Sequence, residues 1–259
     1  MICQFIDPQG PPSPYIDQCF KLEFEAGEGS TKSLIVPDCT PGIVYVKAGS
    51  IKRGQDAFAE GDLFIFGQKS RSVEYQFEEH TRAYGCKLSP IALYHLFGIQ
   101  AAEVTDDFIQ LSDLIKEVDI LKHSLIKGKV KLSLKIPAQE TKTLEALLKA
   151  IHLSRGLISI KELSETYNIG YKKMERLFKK CVGIPPKLYA RIIRFNYSLK
   201  IGIDEYNLTE LAYESGFFDQ NHFIKEVKRF TQKAPSEVFH SQASPYQQSH
   251  IQYLKSRNY

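Results

Sequence analysis

The sequence has no run of eighteen apolar residues, the length a helix needs to cross a bilayer. Its N-terminus has no basic stretch leading into an apolar one, so no export leader is read there. Both absences point to a cytoplasmic protein with no membrane partner. The five cysteines (Cys3, Cys19, Cys39, Cys86 and Cys181) are odd in number and none stands at C-x-x-C spacing, which argues against a zinc knuckle or a redox pair. They read as reduced, mostly buried thiols. Catalytic signatures are equally scarce. No phosphate loop, dinucleotide fingerprint, serine nucleophile elbow or paired-carboxylate arrangement stands out. His80, His95, His123 and His152 are isolated, with no pair at ligand spacing on a strand. The expectation is therefore no metal, no cofactor and no enzymatic activity.

What is present divides into two parts. The 259 residues exceed one ordinary small domain and suit two. From Leu157 to Tyr259 there are 16 Lys and Arg against 10 Asp and Glu, whereas residues 1–156 hold 18 against 20. A basic C-terminal part beside a slightly acidic N-terminal part suggests an anionic partner for the former. The first 90 residues carry short β-rich runs at Cys19–Phe24, Ser33–Val36, Gly42–Lys47, Leu63–Phe66, Val73–Phe77 and Tyr84–Leu88, separated by turn chemistry such as Pro41-Gly42 and Gly61-Asp62. Strands this closely spaced suggest a small sandwich or barrel. Ser89 and Pro90 read as the N-cap and first position of a helix. Pro137 reads as the start of another, with Leu144, Leu147, Leu148 and Ile151 as its apolar stripe and Arg155-Gly156 as its end. Aromatic residues of the β-rich part (Phe20, Phe24, Tyr45, Phe58, Phe64, Phe66, Tyr75, Phe77) mostly alternate at period two, which makes them core before ligand-lining. Arg53, Lys69 and Arg71 have the charge to meet an anionic effector, with surface placement as the default.

The strongest signal is an internal repeat in the C-terminal part, at an offset of 48 residues that becomes 49. Its copies open at Ser159-Ile-Lys-Glu162 and Asn207-Leu-Thr-Glu210, both capping boxes. Leu163-Ser164 matches Leu211-Ala212, and Ile169 matches Phe217 as a buried residue of the turn. Asn168 stands where the second copy has Gly216, and both tolerate the left-handed backbone of a tight turn. Gly170 and Asp219 take the N-cap positions of a second helix, Met174 and Phe223 then Phe178 and Val227 take matching core positions, and Pro186 and Pro235 close the copies. A helix from about Pro186 to Ile201 joins them.

A short helix, a tight turn and a second helix with a polar outer face describe a helix-turn-helix. A single hairpin with a few lysines would be an ordinary solvated face, but two matched copies are hard to obtain by chance. The outward positions of the second helix are Tyr171, Lys172, Glu175, Arg176 and Lys179 in the first copy, and Gln220, Asn221, Ile224, Lys225 and Lys228 in the second. Lys and Arg donate to guanine, Gln and Asn bond adenine, Glu accepts from cytosine, and Ile224 suits a thymine methyl. The partner expected is double-stranded DNA.

On these residues, Ile158–Phe239 resembles the AraC-type DNA-binding domain of the AraC/XylS family. The most diagnostic stretch is Leu211-Ala212 through Gly216-Phe217 to Asp219, Phe223 and Lys225. Ser164, Val227 and Gln232 depart from the family pattern, where Ala, Phe and Gly are usual. A non-glycine left-handed cap at Gln232 costs about 1 kcal/mol. The resemblance implies a transcription regulator whose two units lie in successive major-groove segments, about 34 Å apart, which can require bent DNA. Pro14-Tyr15-Ile16, Tyr84–Pro90 and Leu96-Phe97-Gly98 resemble, more loosely, the β-rich cupin-like domains that precede AraC-type units and serve as effector-binding or dimerising modules.

The fold expected is α+β in two domains: a β-rich cupin-like domain with C-terminal helices over 1–156, an all-α tandem helix-turn-helix domain over 157–240, and a loose tail over 241–259. A small-molecule effector at the N-terminal domain is the first reading of control. The alternative makes that domain a module for homodimerisation or contact with RNA polymerase. A third reading, a cupin-type enzyme with a DNA-binding tail, lacks the metal-ligand set.

Overall fold

In the computed structural model the described residues are 2–6, 13–24, 29–133, 135–137, 141–202 and 206–239, so the expected tail lies outside them. Among the described residues, ten strands form two antiparallel sheets: β1 (Ile2–Ile6), β2 (Ile16–Glu23), β3 (Thr31–Ile35), β4 (Gly42–Ala48), β5 (Ser50–Arg53), β6 (Asp56–Ala59), β7 (Leu63–Phe66), β8 (Val73–Phe77), β9 (Arg82–Leu88) and β10 (Phe108–Gln110). The larger sheet has the order β1-β2-β9-β4-β7-β10 and the smaller the order β3-β8-β5-β6. Together they make the β-rich, cupin-like layer pair that the sequence suggests.

Strand β4 shows why the large sheet reads as a continuous apolar run. Side chains alternate across a strand, and both faces here are covered. Val44 and Val46 point into the core between the sheets, with Phe20, Leu22, Phe58, Phe64, Tyr75 and Phe77. Ile43 and Tyr45 point the other way, into a second core with Ile65, Cys86 and Leu88. Stacked pairs Phe58–Phe64 at 4.0 Å and Phe24–Phe77 at 4.7 Å fill the space between sheets. Most of the aromatic residues named above are therefore core as expected, but Tyr45 serves the other face. A gap of about 40 Å³ lies between the sheets, lined by Phe20, Val44, Phe64, Tyr75 and Lys69 among others.

The helices are α1 (Val118–Ile126), α2 (Lys142–Leu153), α3 (Ile160–Thr166), α4 (Tyr171–Cys181), α5 (Pro186–Ile201), α6 (Leu208–Glu214), α7 (Gln220–Thr231) and α8 (Pro235–Phe239). Two expected helix starts are displaced. Ser89 does not cap a helix: its Oγ is buried without a partner among the described residues, and the next element is one π-helical turn at Leu93–Phe97. The helix expected from Pro137 begins at Lys142 instead; His95 reaches that segment first, its Nδ1 lying 2.8 Å from the Ile136 carbonyl and its Nε2 2.6 Å from Thr141 Oγ1. The stripe itself is right, with Leu144, Leu147 and Ile151 fully buried. Arg155 and Gly156 both adopt positive φ and end α2. A Cβ at Gly156 would stand 2.1 Å from the Ala190 carbonyl oxygen, so glycine lets α2 and α5 meet.

The second core does not stop at the sheet. It continues through α2 into Leu163, Met174, Phe178, Ile192, Leu211, Phe223 and Val227. Polar contacts follow the same route. Asn196 Nδ2 of α5 donates to the Pro37 carbonyl at 2.8 Å, Thr105 Oγ1 donates to the Gly183 carbonyl at 2.9 Å, and the Ser72 N–H donates to the Phe230 carbonyl at 2.7 Å. Four cysteines, Cys19, Cys39, Cys86 and Cys181, are buried thiols outside any disulfide, and burial pushes the Cys19 thiol up to about 11. Such thiols are poor nucleophiles.

Candidate nucleic-acid interface

Each repeat copy folds as its local chemistry dictates. Ser159 Oγ accepts from the Glu162 N–H at 3.1 Å while Glu162 Oε2 accepts from the Ser159 N–H at 2.8 Å. That backbone donor holds the Glu162 carboxyl below the usual carboxylate range. Asn207 and Glu210 repeat the box at 3.0 Å in each direction. The turns pass through left-handed residues, Asn168 at φ 45° and Gly216 at φ 72°, and Ile169 and Phe217 are buried beneath them. Met174, Phe178, Phe223 and Val227 are fully buried. Gln232 ends α7 at φ 59°, the conformation expected of the residue that replaces glycine.

The second helices, α4 and α7, present the outward residues named from the sequence. On α4, Tyr171, Lys172, Arg176 and Lys179 are exposed and Glu175 is partly so. Tyr171 Oη donates to Glu175 Oε1 at 2.7 Å, and this bond pushes the phenol's pKa up. Glu175 is thereby turned toward its own helix. On α7, Asn221, Lys225 and Lys228 are exposed, with Gln220 and Ile224 partly so. Thr209 Oγ1 of α6 donates to Gln220 Oε1 at 2.9 Å, which leaves the Gln220 amide donors facing away from α6. Asp219 caps α7, accepting from the His222 N–H at 2.7 Å, whereas Gly170 gives α4 no side-chain cap.

Helix α5 floors a cleft of about 760 Å³ between the two units, lined by Lys187, Arg191, Arg194 and His222 among others. Arg191 Nε donates to Glu226 Oε2 at 2.8 Å, tying the joining helix to α7. Arg194 donates to the Gly156 carbonyl at 2.8 Å, and burial lowers its pKa. These two arginines were absent from the sequence-derived set. Their signal lay in the helix period of 186–201, but their partners are distant in sequence.

The cationic residues considered for an effector separate. Arg53 pairs with Asp56 and Asp107, and Arg71 is exposed. Lys69 overturns the default of surface placement: it is 6% exposed, with its ammonium 3.8 Å from the Phe66 ring centroid. Burial lowers its pKa to about 8. Lys87, not singled out from the sequence, is also buried and forms an ion pair with Asp38. Nothing local marked it: that both faces of its strand are covered follows from packing alone. Among the described residues no cluster of three or more His, Cys, Asp or Glu is placed to hold a metal ion, and no described helix is long and apolar enough to cross a membrane.

Residues 163–241 match the model of a helix-turn-helix domain. The C-terminal helices are an AraC-type helix-turn-helix domain. The chain is accordingly a DNA-binding protein of the transcription-regulator kind. Residues 4–110 match a domain of unknown function, DUF6597. No curated protein matches the sequence. Among solved structures, the chain is similar to ToxT from Vibrio cholerae, at 11% identity and TM-score 0.48, over 93% of this chain and 98% of that one. It is similar to ToxT from Vibrio cholerae O395 bound to (E)-4-(8-methylnaphthalen-1-yl)but-3-enoic acid, at 13% identity and TM-score 0.42, over 88% and 100%. It is also similar to the AraC-like transcriptional activator CuxR, at 10% identity and TM-score 0.23, over 99% and 92%.

Proposed function

We propose that this chain is a sequence-specific regulator that lays α4 and α7 in successive major-groove segments of one DNA face, under the control of its β-rich part. The observation that carries the reading is the pairing itself: two helix-turn-helix units with matched caps and cores, joined by one helix, each showing a mixed polar face. Lys172, Arg176 and Lys179 supply strong anchoring, Arg176 at a base edge and the two lysines at phosphates, with Tyr171 and Glu175 at their side. Gln220 and Asn221 read bases, with Ile224 at a thymine methyl and Lys225 and Lys228 toward phosphates. Residues 1–156 form the controlling part and 157–240 the DNA-binding part. Control through an effector is supported by the shared core and by the hydrogen bonds from the β-rich part to both units and to α5.

Selection of binding sites from random DNA tests this, and one defined site is the expected result. On that site Arg176→Ala weakens binding by about 1–3 kcal/mol, whereas Lys179→Ala lowers the salt slope by about 1 and weakens all sequences alike. Equal loss on selected and random DNA for Arg176→Ala would remove that residue from base reading. A second reading, assembly through the N-terminal part, is favoured by Ile120 of α1, 68% exposed. Mass that rises with protein concentration and falls in Ile120→Glu supports it.

A further inference from the structure

The gap described between the sheets is small, about 40 Å³, and a larger recess lies elsewhere. A recess of about 270 Å³ opens where the β-rich part meets α2 and α5, lined by Asp38, His152, Arg155, Asn196, Tyr197 and Lys200 together with Ile193 and Ile201 of α5. It lies just under the range of about 300–1,000 Å³ typical of drug-sized ligands, which limits an occupant to a compact metabolite. Its chemistry is divided. Arg155 and Lys200 supply cationic groups. Arg155 is exposed, held in place by a 2.8 Å bond to Tyr197 Oη and by the face of the Tyr197 ring. Acceptors line the same recess. Asp38 answers Lys87 and the Thr40 N–H, while Asn196 is 5% exposed and its Oδ1 is buried with no partner among the described residues. A buried acceptor without a donor carries a standing desolvation penalty, which a donor carried by a ligand removes.

We infer that this recess binds a small carboxylate bearing a hydroxyl or ammonium on the neighbouring carbon, an α-hydroxy or α-amino acid. The carboxylate lies against Arg155 and Lys200, and the neighbouring donor faces the Asn196 and Asp38 side. The inference rests on the regulator reading and deepens it. The same Asn196 side chain donates to the Pro37 carbonyl at 2.8 Å, so the site sits on the joint between the β-rich part and the helix that spaces the two DNA-reading units. A ligand that prefers one geometry of this joint shifts the population of DNA-competent chains by its differential affinity.

The test titrates the full chain calorimetrically with L-lactate, L-malate, citrate, L-serine and L-glutamate, with propionate and inorganic phosphate as controls lacking the donor or the carboxylate. At least one hydroxy or amino acid is expected to bind with Kd below about 1 mM. Lys200→Gln and Arg155→Asn (the latter keeps a residue tolerant of the left-handed φ of 55°) are each expected to weaken it by about tenfold or more, as loss of one charge-assisted bond does. The inference is overturned if no panel member reaches that affinity, if propionate or phosphate binds as tightly as the best acid, or if both variants bind like the unaltered chain. Circular dichroism melts establish that the variants are folded, and binding to the selected DNA site is measured on the same preparations. Retained site binding with no acid bound sinks this inference alone. Acid binding without any selected DNA site supports the recess and sinks the regulator reading instead.

Discussion

The two helix-turn-helix units share a plan and differ in how they are held. The first unit leans on the β-rich part. Its helix α4 packs against the 3₁₀ turn at Ala101–Val104, Gly183 at its end accepts from Thr105, and Lys180 lies 4.6 Å from the Tyr94 ring centroid. Its helix start has no side-chain cap. The second unit is braced from within, by Asp219 at the start of α7, by Thr209 on Gln220 and by the Arg191–Glu226 pair to α5. One backbone bond, Ser72 to Phe230, joins it to the β-rich part directly. The lesson is that equal sequence motifs acquire unequal roles through what they pack against. The first unit is placed to feel changes in the β-rich part, and the second holds its amides ready for base edges.

The largest expected effect breaks the comparison at its core. Phe178→Ala and Phe223→Ala each remove a fully buried ring and are expected to cost about 3–5 kcal/mol. Hydrogen exchange separates them: Phe178→Ala lowers protection in the β-rich part as well as the first unit, while Phe223→Ala lowers it chiefly in α6 and α7. Identical protection patterns would mean that the units are held alike.

Lys69 sharpens the same contrast from the other side. Its pKa of about 8 in the folded chain lies below the ordinary lysine value of 10.5, so between these pH values the unfolded chain binds more protons and stability rises with pH. Below pH 8 the full penalty of charging a buried amine is present. Lys69→Met is expected to stabilise the chain by about 2 kcal/mol at pH 7, with the gain shrinking as pH approaches 10.5, read from denaturant midpoints. Protection should rise in the first unit more than in the second. A gain independent of pH would show that the charge of Lys69 is not what is being relieved.

Smaller effects separate the caps and the reading groups. Asp219→Ala is expected to cost about 1 kcal/mol, an ordinary N-cap loss, whereas Gly170→Ala costs about half as much, because no side-chain bond is lost there although glycine still ranks above alanine at an N-cap. Thermal midpoints of the pair decide this. Thr209→Val frees Gln220 and should reduce discrimination at a single base position by less than about 1 kcal/mol, with stability nearly unchanged. Competition between the selected site and its single-base variants measures it.

Much of the C-terminal region was legible because its signals are local. The capping boxes at Ser159 and Asn207, the left-handed Asn168 and Gly216, the N-caps Gly170 and Asp219 and the proline opening α5 each act within a few residues. In the β-rich part, β7 and β8 were bounded correctly, while β1, the β5–β6 hairpin and β10 were missed. Those are short strands, and β6 and β10 lie at sheet edges, where alternation is weak and pairing decides. The helix start at Pro137 failed for a related reason: the turn chemistry was present, but tertiary packing around His95 claimed the chain first.

The repeat, with its caps, turns and outward residues, was determined by sequence alone, since helix ends and exposed faces follow from side chains close in the chain. Only the tertiary structure decided that Lys69 and Lys87 are buried, that one core runs from the sheet into both units, and that a recess opens at the α5 joint. Each of these is a matter of which distant surfaces meet, and burial, charge pairing and free volume exist only after they do.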